Sequence, residues 1–398
     1  MAHIPHISVG DHALIWGAVD IVRSRFPDAE FAFFCKYPEH ERIYLDQMDF
    51  RFKIVERSQN QVIAGWQAHR LARDCDVVLS AWGDGYIMHP PHGMYKKVRC
   101  MASHDTPMAL CSTSMGPFAA SGLRRWMVKS ALKRYDYLSV RDSITLRYVE
   151  DLGFPGVEQI PDTAYALRAC SPRRVADILE LEEIPHNAPY VGVNLGTEFM
   201  HFCEQNGIDF LKICSSVIER IRDVHGCAVI LIPHQYVYDS YDYAAIPSIA
   251  YEACDDRYPI NRVWNSLRST QGVYRIQNIY SCAELKGIIA GSVVFISQRV
   301  HPLVASTSTG VPTAIMHYSH KAQGMMDVIG KPDYTWHPKR IQGVESHDTS
   351  IDALVRMVDR LWENREHYRQ DLSLVAPKLV QRAFSLGDKL SKIIGLAA

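Results

Sequence analysis

The sequence predicts an α/β protein made of two Rossmann-like halves, and three observations carry that prediction. Short apolar runs alternate with longer amphipathic stretches over most of the chain, the pattern of strand–helix–strand units around a parallel sheet. The length, 398 residues, suits two or three domains at ~150 residues each. A connector near residues 169–188, with a single predicted helix at Arg173–Leu181, separates two such alternating stretches. The expected domains are therefore 1–170 and 171–398, with the last helix packing back on the first.

The first half begins weakly. Met1–Ser8 reads as a loop, and Met1–Ile7 is barely long enough for the strand that should precede the first helix. That strand is expected to be missing or frayed. Val9-Gly10-Asp11 leads into a helix, His12–Arg25, with Leu14, Ile15, Ala18, Ile21 and Val22 on one side. Gly10 either brings the backbone close to a ligand at the helix start or sits in a plain turn with Asp11 as N-cap. Strands are predicted at Phe31–Cys35, Phe52–Val55, Asp76–Ser80, Met108–Ser112 and Tyr137–Val140, with helices at Pro38–Gln47, Gln61–Cys75, Leu123–Arg134 and from Ser143. The loop Ala81–Tyr86 follows a strand end but is too irregular for a nucleotide-phosphate loop. His89 and His92 flank two prolines and read as a surface loop rather than a metal site. Arg141 leaves a strand end. It either contacts a ligand or pairs with Asp142 or a neighbour.

The second half repeats the alternation. Strands are predicted at Tyr190–Gly196, Ala228–Ile232, Val273–Ile276, Val293–Ile296 and Thr313–Met316, and helices at Asp209–His225, Ala283–Ala290, Ile351–Trp362 and Leu374–Ile394. Asp239 and Asp242 stand in a tyrosine-rich loop; one of them is a candidate proton acceptor, though such loops often carry only solvated charge. The stretch Val293–Gly330 holds the strongest signal. Its two strands deliver Arg299, His301 and Lys321 to one rim, with Pro302 in the first helical turn and Gly310 at the helix end. In open α/β sheets, ligands bind at the carboxyl ends of strands. Arg and Lys there suit an anion, and His301 beside them is a candidate proton donor. Each residue taken alone is better explained by an ion pair or a helix cap. All three on consecutive strand–helix junctions favour a site.

Composition narrows the partners. Apolar residues make up 47% and charged residues 22%, and the formal net charge is -1. No global field favours nucleic acid, so any anion site is local. The ten cysteines show no metal-type spacing and read as reduced thiols. No apolar run approaches the ~20 residues of a membrane span, and no signal peptide is predicted. A cytoplasmic protein is expected. The basic helix Leu123–Arg134 reads as a solvated face or, less commonly, as contact with the inner face of a membrane or a glycolipid.

Strand-end loops of two Rossmann-like domains facing each other across a cleft make the GT-B architecture. A cleft lined by Arg141, Arg299, His301 and Lys321 is the corresponding expectation. At this point the chain resembles the polysaccharide pyruvyl transferase family. The resemblance rests on Gly10-Asp11, Asp76–Gly85, Ser114-Met115-Gly116-Pro117, Ser139-Val140-Arg141-Asp142 and Pro161-Asp162-Thr163-Ala164. It continues through Arg299-Val300-His301, Gly310-Val311-Pro312, Tyr318 and Lys321. The Arg-x-His, Gly-x-Pro, Tyr-x-x-Lys series is its most specific part.

The resemblance implies a GT-B-like fold and transfer of pyruvate from phosphoenolpyruvate to a sugar with two suitably placed hydroxyls, giving a cyclic ketal. It implies donor binding by Arg299, general-acid catalysis by His301 and a donor-anion role for Arg141. Phosphoenolpyruvate is then a substrate, no cofactor or metal is needed, and the acceptor is a cell-envelope sugar, free or lipid-linked. Gly10 and Asp11 count among the substrate-binding candidates, and Asp239 is the candidate base with Asp242 as its alternative. The chain departs from the family pattern where Ser8-Val9 precedes Gly-Asp, and in the loop Ala81–Gly85. Two rivals remain: a GT-B glycosyltransferase using a nucleotide sugar, and a non-catalytic protein that kept the fold.

Overall fold

The computed structural model describes residues 7–35, 49–81, 83, 106–119, 121–185, 188–237, 254–342 and 348–395, with isolated positions at 38, 42, 45, 98, 252 and 344. The chain divides into two compact units. One takes Met1–Ile4, Leu14–Ala166 and Val380–Ala398; the other takes Pro5–Ala13 and Leu167–Leu379.

The short strand β1, Ile7–Ser8, is not the head of the first unit's sheet. It pairs antiparallel with β10, Gln235–Tyr236, inside the second unit. This corrects the expected placement of an N-terminal strand. The helix that follows begins at Val9 and runs to Arg23, three residues earlier than periodicity predicts. Ser8 Oγ accepts the Asp11 N–H at 3.2 Å. Ser8 is thus the capping residue, and Asp11 lies in the first turn, where its charge suits the helix dipole.

The first unit carries two parallel sheets. β2 (Phe31–Cys35) pairs with β3 (Phe52–Glu56). Phe31 and Phe33, two residues apart on one face, pack edge-on against Phe50 at 5.1 and 6.2 Å. The strands β4 (Val78–Ser80), β5 (Met108–Thr113), β6 (Tyr137–Val140) and β7 (Glu158–Gln159) lie side by side in chain order. Helices Gly122–Leu132 and Ser143–Asp151 cover them through Val128, Ala131, Leu132 and Val149, which meet Met108, Leu110 and Val140 in the core. Asp142 caps the second helix by accepting the Thr145 N–H at 2.8 Å. The carboxyl-terminal part of the long helix Arg365–Ile393 belongs to this unit, where Arg382 donates to the Gln159 carbonyl at 2.5 Å and Lys389 pairs with Glu158.

The second unit holds one six-stranded parallel sheet. Its strands are β8 (Tyr190–Val193), β9 (Ala228–Leu231), β11 (Val273–Arg275), β12 (Phe295–Ser297), β13 (Thr313–Met316) and β14 (Thr335–Trp336), in the spatial order β11-β9-β8-β12-β13-β14. Taken in sequence, that is the Rossmann order 3-2-1-4-5-6, and the order reverses between β8 and β12. The predicted helix starts hold where a side chain caps them. Ser171 caps Pro172–Leu181, Asp209 caps Phe210–Asp223, and Ser281 with Glu284 forms a capping box before Cys282–Ala290.

Three helices of this unit escape sequence reading: Thr197–Gln205, Arg257–Ser266 and His320–Ile329. None has a side-chain cap. The second carries Pro259 in its first turn, and the third has Gly324 in its middle. Tertiary packing, not local signal, holds them.

Candidate active site

The reversal between β8 and β12 is where the site is built. After β8 the chain runs Asn194-Leu195-Gly196-Thr197-Glu198; after β12 it runs Gln298-Arg299-Val300-His301. Asn194 ties three strands together. Its Nδ2 donates to the Ile232 carbonyl at 3.0 Å and its Oδ1 accepts the Gln298 N–H at 3.4 Å. Gln298 Oε1 in turn accepts the Gly196 N–H at 2.8 Å. Gly196 packs tightly against Arg299: a Cβ there would stand 3.0 Å from its Nε and 3.3 Å from its Cγ.

Arg299 meets two carboxylates that the sequence reading does not single out. Its Nε and Nη2 grip Asp256 at 2.9 and 2.6 Å, a two-pronged pair. Nη2 also donates to Thr197 Oγ1 at 3.1 Å and pairs with Glu198. Asp256 is held from the other side by the N–H groups of Thr197 at 3.1 Å and His234 at 2.9 Å. Its side chain is wholly buried, Arg299 is 14% exposed and Glu198 is 30% exposed. Asp256 is therefore a fixed anchor, while Glu198 is the partner nearest solvent.

Protonation follows from this packing. Burial, then repulsion from Glu198, push Asp256 up to about 6, against the pull of Arg299 and the His234 N–H. Burial also pushes Glu198 up, but Arg299, its own backbone N–H and Lys321 outweigh it, and the net displacement is downward. Burial lowers Arg299, and Asp256 and Glu198 more than reverse that, so the guanidinium stays charged. Burial, then His301 and Arg299, hold His234 well below the usual histidine range, so it is neutral.

His301 is the second residue of the helix Val300–Ser308. Gly10 lies directly against it: a Cβ at position 10 would fall 1.9 Å from His301 Nδ1. The close backbone approach expected of Gly10 is thus made to the imidazole. Val9 N–H donates to the His234 carbonyl at 3.3 Å, which seats the Gly10 turn beside the two histidines. Lys321, second in the helix His320–Ile329, places Nζ 5.9 Å from the Tyr318 ring centroid and adds its charge to the field at Glu198. The second unit therefore brings Gly10, Arg299, His301 and Lys321 together with Glu198, Asp256 and His234. Application of the strand-end rule to β8 finds Glu198. Asp256 shows in sequence only as an ordinary helix-start aspartate. Asp239 and Asp242 lie outside the described residues, as do His89 and His92.

Arg141 lies in the first unit and has a different setting. Its side chain is wholly buried against Asp162, Nη1 to Oδ2 at 2.5 Å, and its Nε donates to Ser114 Oγ at 2.8 Å. Ser114 Oγ donates to Asp142 Oδ2 at 2.7 Å. Asp162 Oδ1 also accepts the Ala164 N–H at 2.8 Å. Gly83 closes over the guanidinium, since a Cβ there would be 2.7 Å from Nη1. The short motifs around Gly83, Ser114, Arg141 and Asp162 thus converge on one buried polar cluster. Arg141 has the ion pair that a structural role requires, with Asp162 rather than Asp142 as partner.

Comparison with known proteins agrees with this architecture. Residues 9–320 match the family model for polysaccharide pyruvyl transferase. The amylovoran biosynthesis protein AmsJ of Erwinia amylovora is 21% identical over 330 residues, 79% of this chain and 71% of that protein. Among solved structures, the UDP-GlcNAc 2-epimerase of Neisseria meningitidis superposes with a TM-score of 0.57 at 10% identity, covering 96% of each chain. The UDP-GlcNAc 2-epimerase of Methanocaldococcus jannaschii gives 0.51 at 10% identity, covering 83% of this chain and 91% of that one. At such identity the likeness speaks to fold alone, and the fold is the GT-B-like α/β class.

Proposed function

The chain belongs to the polysaccharide pyruvyl transferase family, and from that premise we propose that it moves the enolpyruvyl-derived group of phosphoenolpyruvate onto a sugar of a cell-surface polysaccharide or its precursor. The observation that carries this reading is the grouping of Arg299, Lys321 and His301 at the strand-order reversal of the second unit. Phosphoenolpyruvate is a small dianion or trianion, and fixed cations are what such a donor needs.

Glu198 pairs with Arg299, so a donor anion competes with it for the guanidinium. The donor carboxylate or phosphate displaces Glu198 and takes its place on Arg299 and Lys321, while Asp256 keeps the guanidinium plane fixed. His301 protonates the donor methylene carbon, which leaves cationic character at the neighbouring carbon. A sugar hydroxyl adds there and gives up its proton. A second hydroxyl adds as the carbon–oxygen bond to phosphate breaks. Of the two hydroxyl protons, one balances the new methyl group and the other leaves with phosphate. Glu198, displaced but adjacent, is the proton acceptor we assign among the described residues; Asp239 is the further candidate named by the sequence. Gly10 acts through placement of His301, Asp11 remains a substrate-binding candidate, and no cofactor is assigned. Arg141 is paired with Asp162 through Nη1, and its donor-anion role is part of the proposal.

The test is incubation with phosphoenolpyruvate and a panel of free and lipid-linked envelope sugars, following phosphate release and the ketal methyl signal by NMR. Release that requires both donor and sugar supports the reading. Turnover only with a nucleotide sugar would replace it with glycosyl transfer.

A further inference from the structure

Two helices of the first unit share an arrangement that the candidate site does not use. In Gly122–Leu132, Val128, Ala131 and Leu132 face the core. Leu123, Trp126, Ser130 and Lys133 are spaced three, four and three residues apart and so follow the opposite side. Leu123 is 70% and Trp126 55% exposed. Arg124, Lys133 and Arg134 are exposed around them, and residues 121–135 contain no carboxylate. Arg125 is turned aside to the Asp151 carbonyl.

In Gln61–Arg73 the inner side is Ala64, Ala68 and Ala72. The outer side carries Val62, Ile63 and Trp66, exposed by 69%, 51% and 71%. Arg70 and Arg73 are exposed at its carboxyl end; the helix itself holds no carboxylate, and Asp74, next after it, stands 3.6 Å from Arg73. The formal net charge of the whole chain is -1, so this excess of cations is local. Each helix therefore presents a tryptophan and aliphatic residues to solvent, beside cations.

We propose that the first unit docks on an anionic bilayer surface through these two helices. Trp66, Trp126 and the aliphatic residues beside them enter the boundary between headgroups and acyl chains, and the arginines and Lys133 meet the lipid phosphates. Exposed tryptophans beside cations, on two helices that hold no carboxylate, suit an anionic lipid surface. No helix among the described residues is long and apolar enough to cross a membrane, so the contact is peripheral. The inference does not depend on the reaction assigned above.

The full chain is sedimented with sucrose-loaded vesicles of phosphatidylcholine alone or mixed with phosphatidylglycerol. Binding is expected only with the anionic mixture and weakens as salt rises. Each cation near the surface contributes about fivefold in partition, so Lys133→Glu with Arg134→Glu should reduce it at least about 25-fold. Trp66→Ser with Trp126→Ser should reduce it at constant charge. All four positions are exposed, and unfolding temperature checks that each variant is folded. A variant that does not fold is replaced by Trp126→Ser alone. Equal binding to both vesicle types, or to neither, overturns the proposal. So does light scattering that shows a dimer which the tryptophan substitutions dissociate, since the face would then be an interface between copies.

Discussion

Replacement of Glu198 by Gln is the sharpest test of the proposed donor exchange. The substitution keeps shape and removes one negative charge from a residue paired with Arg299 and felt by Lys321. If the donor anion takes the place of Glu198, the displaced carboxylate remains a few ångströms away and repels it. At a separation of ~6 Å and an effective dielectric near 20 that repulsion is roughly 3 kcal/mol, and partial exposure of Glu198 reduces it to about 1–3 kcal/mol. Glu198→Gln should therefore tighten phosphoenolpyruvate about five- to 150-fold. Calorimetry without acceptor isolates that step. If Glu198 also accepts the hydroxyl proton, turnover falls by ~10²–10⁴-fold in the same variant. Unchanged or weaker donor binding would refute the exchange. Arg299→Lys is a poorer test. Lys cannot reproduce the two-pronged grip on buried Asp256, so stability and affinity fall together, by about 1.5–3 kcal/mol for the lost charge-assisted bond.

Three further outcomes are expected. His301→Ala should lower turnover by ~10²–10⁴-fold and leave donor affinity nearly intact; Gly10→Ala, whose methyl would displace the imidazole, should do the same, and normal phosphate release in either would remove His301 from the mechanism. Arg141→Ala should cost about 3–5 kcal/mol of stability, because Asp162 is left buried without its partner; denaturant unfolding measures it, and intact stability with lost donor binding would instead make Arg141 a ligand. Asp256 holds its proton more tightly in the folded protein, at about 6 against an ordinary 3.8. Its contribution to stability is thus present below the ordinary carboxylate range and lost as pH rises through about 6. Asp256→Asn should remove that slope from the stability curve, and an unaltered slope would mean that Asp256 titrates normally.

The sequence by itself determined the alternation of strands and helices, and with it the Rossmann-like class of each unit. It also determined that Arg299, His301 and Lys321 leave consecutive strand ends, because apolar runs, Pro302 and Gly310 are local signals that fix a strand end within a residue or two. The tertiary structure decided what those residues face. Glu198, Asp256 and Lys321 stand on or at the start of three helices that the sequence does not announce and no side chain caps, so packing is what stabilises them. The partners of Arg299 are 43 and 101 positions away in the chain, at Asp256 and Glu198, and no periodicity carries that distance. The same holds for Gly10 against His301, for Ile7–Ser8 pairing with Gln235–Tyr236, and for Arg141 meeting Asp162 rather than adjacent Asp142. Local sequence fixes where a charge leaves a strand; whether that charge is spent on a buried carboxylate is settled only when distant segments close around it.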